Sequence, residues 1–183
     1  SMARRQQLEA FAREHGLKMG SIEALIRHRL ETEHTVERVD ERGIETPFGA
    51  FKLVAYRDRL NHGLHFALVH GTPDADTTTL VRVHVGNALS DVLHWQRADF
   101  GVPVPDALRA IVAAGGGVMV VLNEPQSPDD LLARLRQTSE PTPTSTTEWR
   151  RNGAGAQILA DLGLRRLRVL GTPRRQVGLG GFG

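Results

Sequence analysis

Alternating apolar and polar residues predict four strands in the first half of the chain. The clearest example ends at Val85, where Val81, Val83 and Val85 alternate with Arg82 and His84. Short turns containing glycine, proline and asparagine separate these segments. The predicted strands are Thr35–Val39, Ala50–Arg57, Leu64–His70 and Thr79–Val85. Closely spaced strands with short turns favour an antiparallel meander, in which each strand pairs with the next one along the chain.

Two helices are predicted before the first strand. Residues 3–16 carry Leu8 and Phe11 three positions apart, and Gly16 is a suitable end for that helix. Ser21 is a good N-cap for the second helix. The apolar face of this second helix is formed by Ile22, Leu25, Ile26 and Leu30.

The second half of the chain alternates helices with strands. Pro105 suits the first turn of one helix, and Ser127 suits the cap of the next one. The uninterrupted apolar run Val118–Leu122 is typical of a strand buried on both faces. The Ser127 helix carries leucines that we expect to face inward, namely Leu131, Leu132 and Leu135. We further predict a mobile Pro- and Thr-rich loop over 138–147, a helix over Gly153–Leu162 and a strand over Leu167–Leu170. These elements predict an α+β fold, with mixed α/β order after residue 101.

Composition narrows the class of protein. The chain has 183 residues, a length that suits one domain, or one domain with an appendage. It contains no cysteine, so it forms no disulfide and no thiolate–zinc site. No apolar run reaches the roughly 20 residues that a membrane span requires. We therefore predict a cytoplasmic protein without a membrane partner.

Positive charge is concentrated at the C-terminal end. Residues 141–183 contain seven arginines against two acidic residues, a net charge of +5, whereas the whole chain carries +2. Such an end suits contact with a phosphate or another anion, and Arg174 and Arg175 directly follow a Gly-Thr-Pro turn. A solvated basic face is the alternative interpretation. We do not expect a nucleic-acid partner.

The segment from Leu80 to Gly101 resembles the zinc-site segment of GTP cyclohydrolase II, an enzyme of riboflavin biosynthesis that opens the guanine ring of GTP. The matching residues are Arg82, Val83, His84, Asp91, Arg97, Asp99 and Gly101. Where that family has its three zinc-binding cysteines, this chain has Asn87, Ala98 and Phe100. The resemblance implies the family's fold and its zinc-activated water. Because alanine and phenylalanine offer no lone pair to zinc, we predict that the chain holds no metal and no other cofactor.

Two groups of residues are alternative metal ligands. One group lies within the resembling segment and contains His84, Asp91, His94 and Asp99. Their spacing matches no compact ligand pattern, so ordinary hydrogen-bonded side chains are the favoured interpretation. The other group contains His62, His65 and His70. Residues 65 and 70 fall on opposite faces of a strand, which argues against a shared metal.

Other positions of the resemblance bear on the nucleotide pocket. The family's Arg-Gln-Glu-Gly-Arg loop corresponds to residues 123–127, which lack both arginines and the glycine, and Gly86 replaces a glutamate. Arg150 aligns with the family's proposed nucleophile and is our candidate for a vestigial catalytic residue. Arg82 and Arg175 are the candidate phosphate-binding residues, because the resemblance places positive charge beside phosphate there.

Residues 2–30 resemble the last helices of 3,4-dihydroxy-2-butanone 4-phosphate synthase, which many bacteria fuse ahead of a cyclohydrolase II domain. We therefore predict two parts, residues 1–34 from the synthase or its linker and residues 35–183 from a cyclohydrolase II-like domain truncated at its C-terminal end. The predicted function is a catalytically degenerate domain that supports or regulates the fused synthase, which acts on ribulose 5-phosphate. The alternatives are an active cyclohydrolase with a remodelled site, or a sensor of nucleotide or phosphate. The resemblance also implies a homodimer.

Overall fold

The computed structural model describes residues 32–137 and 145–171, together with residues 10, 13, 14 and 28, and it gives no side-chain surroundings for 145–150. Most of the two predicted N-terminal helices lies outside the described residues, although residues 10, 13, 14, 28 and 32 are helical. Arg175 and the predicted loop residues 138–144 also lie outside them. None of the helices in the described ranges has the length and hydrophobicity that a membrane crossing needs.

Within the described residues, six strands form a mixed sheet in the order β1-β2-β3-β5-β4-β6. The strands are β1 (Val36–Thr46), β2 (Gly49–Asp58), β3 (Leu64–His70), β4 (Thr78–Val85), β5 (Gly117–Leu122) and β6 (Arg166–Val169). Pairing is antiparallel from β1 to β3 and between β3 and β5. It is parallel between β5 and β4 and between β4 and β6. The predicted mixed class is therefore confirmed.

The predicted four-strand meander is correct for three strands and wrong for the fourth. β4 does not pair with β3, because β5 lies between them. β4 and β5 are parallel and need a long crossover, which the residues between Val85 and Gly117 supply. β1 is also longer than Thr35–Val39, since it pairs with β2 as far as Thr46. Most of this edge strand is exposed, so its sequence lacks clear alternation.

Four helices and one short 3₁₀ helix connect the strands within the described residues. They are α1 (Ala88–Asp91), the 3₁₀ helix (Ala98–Phe100), α2 (Val104–Ala113), α3 (Pro128–Arg136) and α4 (Ser145–Asp161). The predicted start of α3 is confirmed, because Ser127 and Asp130 form a reciprocal capping box. The predicted helix at Gly153 begins earlier, at Ser145, so the predicted loop is wrong for residues 145–147.

The inward orientation predicted for the leucines of α3 is wrong for Leu132 and Leu135, whereas Leu131 is half-buried. Leu132 is 43% exposed and Leu135 is 48% exposed, and no residue of the helix is buried. The amphipathic pattern identified an apolar face correctly, but no described element covers that face. The exposed leucines therefore mark an uncovered surface next to the candidate site.

Two apolar clusters hold helices against opposite faces of the sheet. Ile158 and Leu159 of α4 pack on one face, and Leu108 and Ile111 of α2 pack on the other. β5 contributes to both clusters, since Val118, Val120 and Leu122 point to the first and Met119 points to the second. This confirms the prediction of a strand buried on both faces. Each fully buried branched side chain stabilises the fold by about 1.5–3 kcal/mol.

The strand directions bring several chain segments to one edge of the sheet. The carboxyl ends of β4, β5 and β6 meet there because these strands are parallel. β3 runs opposite to β5, so its first residue lies at the same edge, and the antiparallel pairs place the end of β2 and the start of β1 there as well. The loops that follow β4 and β5 therefore share this edge, which we call the site edge.

Gly117 is predicted to tolerate no side chain. A Cβ atom there would lie 2.6 Å from the carbonyl oxygen of Leu80 and 3.0 Å from Cγ2 of Ile111. Gly117→Ala should lower the free energy of unfolding by about 2 kcal/mol, as overpacking does, measured by urea denaturation. Gly43→Ala is the matched control, since a Cβ there meets no described atom within 4 Å. Equal unfolding midpoints for the two variants would contradict this account.

Candidate functional site

A histidine–aspartate pair begins the segment that resembles the zinc site. His84 at the end of β4 is buried, and its Nε2 lies 2.9 Å from both carboxylate oxygens of Asp91. Asp91 also accepts hydrogen bonds from the backbone N–H of Asn87 at 2.9 Å and from Oγ of Ser90 at 2.9 Å. Since the carboxylate is an acceptor, His84 carries its proton on Nε2 and donates. These bonds tie α1 to the end of β4.

The surroundings of Asp91 keep it ionised. Burial acts to raise the pKa of this carboxyl, but hydrogen bonds from His84, Asn87 and Ser90 outweigh it and hold the pKa below its usual value. The pair's contribution to folding stability is therefore complete above the pKa that the carboxyl has in the unfolded chain. It is lost as the pH falls through the pKa that the carboxyl has in the folded protein. At neutral pH the pair is a fixed structural contact.

Asn87, which stands at the first cysteine position of the resemblance, caps α1. Its Oδ1 accepts from the backbone N–H of Leu89 at 3.1 Å, and the side chain is buried. Its Nδ2 has no hydrogen-bond partner among the described atoms. The side-chain oxygen, which is the atom that zinc would need, is therefore already used to cap the helix.

Arg97 organises the turn that contains the other two cysteine positions. Its Nε and Nη2 donate to the carboxylate of Asp99 at 2.9 and 2.6 Å. Its Nη1 donates to the carbonyl oxygens of Arg134 and Gln137 at 3.1 and 2.9 Å. Those carbonyls end α3, so one guanidinium joins the turn after β4 to the helix after β5. Such charge-assisted bonds are about twice as strong as neutral ones.

Phe100 fills the position of the third cysteine with an aromatic ring. The guanidinium of Arg97 lies 4.4 Å from the ring centroid, and that of Arg134 lies 5.3 Å from it. Trp95 packs edge-on at 6.0 Å, and Arg97 also lies 4.9 Å from its ring. Each such cation–π contact contributes about 0.5–2 kcal/mol. The turn is therefore held by rings and arginines where the resembled family uses zinc.

Gly101 completes the turn beside Arg82. It has a φ of +70°, which favours glycine, and a Cβ there would lie 3.0 Å from Nη2 of Arg82. That Nη2 donates to the carbonyl of Val102 at 3.3 Å, whereas Nε of Arg82 is buried without a partner among the described atoms. Burial lowers the pKa of this guanidinium. Arg82 therefore keeps unused hydrogen-bonding capacity at the site edge.

The predicted candidates for metal binding are not brought together as ligands. The carboxylate of Asp99 is hydrogen-bonded to Arg97. Within the described residues, no group of three or more histidine, cysteine or acidic side chains could hold a metal ion. The buried His65 donates from Nε2 to Asp58 at 3.0 Å and accepts at Nδ1 from the N–H of Asn123 at 3.0 Å. His70 bonds to the carbonyl of Ala50 at 2.9 Å. The donor set present does not fit a tetrahedral zinc site.

The loop after β5 is closed by an ion pair. Nε of Arg151 lies 3.1 Å from both carboxylate oxygens of Glu124, and its Nη2 lies 3.0 Å from one of them. This pair joins α4 to the loop that replaces the family's arginine-containing loop. The cavity left beside it, about 220 Å³, is lined in part by Asp58, His65 and Pro125. Arg151 also lines this cavity, and Glu124 neutralises its charge.

The three predicted site arginines are not assembled by the described part of the structure. Arg82 lies at the site edge, Arg150 lies in α4 without a described side chain, and Arg175 is outside the described residues. The roles of Arg97, Phe100 and Arg151 were missed by the sequence analysis. The partners of Arg97 at residues 134 and 137 lie too far along the chain for local spacing to identify them.

Comparison with known proteins assigns a family. A sequence model of GTP cyclohydrolase II matches residues 37–183. A curated relative from Pseudomonas aeruginosa, named 3,4-dihydroxy-2-butanone 4-phosphate synthase, is 43% identical over all of this chain and 50% of its own length. A relative from Chlorobium phaeovibrioides, named riboflavin biosynthesis protein RibBA, is 33% identical over all of this chain and 48% of its own length. This chain thus spans about half the length of these curated relatives.

A solved structure is similar to this chain in both sequence and fold. It is the crystal structure of RibBX from A. baumannii, described as a two-domain 3,4-dihydroxy-2-butanone 4-phosphate synthase. The TM-score is 0.69 at 37% identity, with 100% of this chain and 48% of that chain covered. The fold expected from the resemblance is therefore confirmed.

Replacing Arg97 tests whether its contacts hold the site together. Arg97→Lys keeps the charge but loses the planar fork and its stacking, so the free energy of unfolding should fall by about 2 kcal/mol in urea denaturation. Arg42→Lys is the control, because Arg42 forms an exposed ion pair with Asp40 at 3.0 Å and should change stability by less than about 0.5 kcal/mol. Equal losses of unfolding free energy in the two variants would contradict the conclusion that Arg97 holds the site together.

Proposed function

Because the chain belongs to the GTP cyclohydrolase II family, with a match over residues 37–183, we propose that it is a catalytically degenerate member that serves a fused 3,4-dihydroxy-2-butanone 4-phosphate synthase. The chain's relatives are riboflavin biosynthesis proteins, and those described above are about twice its length. The observation that carries the proposal is the Arg97 and Phe100 cluster, which occupies the turn where the resemblance implies zinc ligands.

Loss of the metal site supports loss of the ancestral reaction. Zinc in such sites lowers the pKa of bound water and produces a nucleophile near neutral pH. Here Asn87 caps a helix, Ala98 has no donor atom, and the ring of Phe100 contacts two guanidinium groups. No described side chain replaces the missing donors. An active cyclohydrolase with a remodelled site is therefore not the favoured alternative.

A retained fold without its ligands fits a role in the fused protein. We place the C-terminal helices of the synthase or its linker at residues 1–34 and the cyclohydrolase II-like domain at residues 35–183, and we propose the synthase part of the same chain as its partner. RibBX is itself described as having two domains and synthase activity, with this chain aligned to 48% of it. The homodimer and the cytoplasmic location stay predictions.

Phosphate binding is a second candidate role for this domain. The observation that supports this role is that Nε of Arg82 is buried with no partner among the described atoms. We propose that Arg82 and Arg175 would contact the phosphate and that Arg150 is a remnant of the catalytic residue. Phosphate bound there would serve as a signal to the synthase part. It would not be part of a hydrolysis reaction, because the described side chains do not supply the zinc ligands that hydrolysis would need.

Removing residues 35–183 from the full-length two-domain protein tests the main proposal. We expect the synthase rate to fall by about fivefold or more, the low end of typical coupling between sites, or the number of chains per oligomer to change, measured by light scattering. Full-length protein with Arg42→Ala is the control, because Arg42 forms an exposed ion pair with Asp40 at 3.0 Å, and it should keep both properties. An unchanged rate and an unchanged number of chains per oligomer in the deletion protein would contradict the proposal.

A further inference from the structure

Five large apolar side chains are exposed close to the site edge. Val92 and Leu93, which follow α1, are 70% and 68% exposed, and Trp95 is 40% exposed. Leu132 and Leu135 are exposed on α3 and lie three positions apart, which places them on one helix face. We call these five residues the apolar edge. Exposed apolar side chains that lie singly need no explanation, but a group on adjacent elements marks an interaction surface.

The contacts of Arg97 join the two chain segments that carry the apolar edge. Trp95 packs on Phe100 and Arg97 in the turn after β4. Arg97 donates to the last carbonyls of α3, and Arg134 of α3 lies over Phe100. The loop that carries Val92 and Leu93 is therefore connected to the helix that carries the leucines. A surface that is already ordered loses little conformational entropy when it binds.

The chain enters the sheet at this same edge. β1 begins at Val36, which pairs with Asp58 at the end of β2. Through β2 and β3 this position shares an edge with Leu122 and Val85, the last residues of β5 and β4. A domain attached ahead of β1 would therefore lie at the same end of the sheet as the loops that follow β4 and β5, with β1 three strands from β5 and four from β4.

We infer that the apolar edge is the docking surface for the synthase part of the fused protein. This inference rests on the proposed function, since it takes the synthase as the domain ahead of β1. The relatives match this chain with about half of their length, so a partner of similar size is attached to the same polypeptide in them. Polar residues flank the surface on α3, with Asp129 and Asp130 in its first turn and Arg134 and Arg136 in its last. An apolar centre with a polar rim is typical of protein interfaces.

Photo-crosslinking in the full-length two-domain protein tests the assignment. The probe is p-benzoyl-phenylalanine, introduced in place of Leu93 in one sample. In the control sample it replaces Ala113, an exposed residue at the end of α2 and at the opposite edge of the sheet. We expect crosslinks from position 93 to peptides of the synthase part, at about tenfold higher yield than from position 113, because only position 93 lies on the apolar edge.

A charge placed on the surface provides the second measurement. Leu135→Asp should lower the crosslink yield from position 93 by about tenfold, since a carboxylate would be buried at the interface. Ala113→Asp is the control, because Ala113 is also exposed but lies at the end of α2, at the opposite edge of the sheet. It should leave the yield unchanged.

Three results would overturn the inference. They are crosslinks from position 93 to the apolar edge of a second copy, equal yields from positions 93 and 113, and equal effects of Leu135→Asp and Ala113→Asp. Failure of the proposed function is distinguishable from these. If the synthase rate and the number of chains per oligomer are unchanged on deletion while position 93 still crosslinks to the synthase part, the docking surface stands and the regulatory role does not.

Discussion

One guanidinium holds the candidate site in place. Arg97 binds the carboxylate of Asp99, stacks on Phe100 and Trp95, and donates to the carbonyls that end α3. It thereby fixes the turn after β4 against the helix after β5. In the family that the chain belongs to, the resemblance implies that zinc binds in this turn. Here contacts among Arg97, Asp99 and Phe100 hold the turn, and the surrounding strands keep the family's fold.

Replacement of the metal site by packing changes what the site edge can do. The donor atoms needed for zinc are absent or engaged, and Arg151 closes the neighbouring loop by pairing with Glu124. The same cluster orders a surface that bears exposed Trp95 and two exposed leucines of α3. Ordered apolar surface suits protein contact better than it suits hydrolysis of a charged nucleotide. The chemistry of the edge thus agrees with a domain that supports another enzyme.

Local sequence signals predicted much of the fold, and long-range contacts set the rest. The cap at Ser127 and the doubly buried strand at Val118–Leu122 were predictable because each depends on neighbouring residues. The insertion of β5 beside β4 was not, since strand order depends on a crossover. The role of Arg97 was hidden because its carbonyl partners lie about 40 residues away. The exposed leucines of α3 were misassigned because an apolar face does not reveal what covers it.

Zinc content is the most direct test of the central claim that this domain folds its former metal turn without a metal. The full-length protein would be dialysed against zinc, passed through a desalting column and analysed by plasma mass spectrometry. The account predicts well under one zinc ion per chain, and the same content in a protein carrying Phe100→Ala. One tightly held zinc ion per chain, lost on substitution of His84 or Asp91, would contradict it.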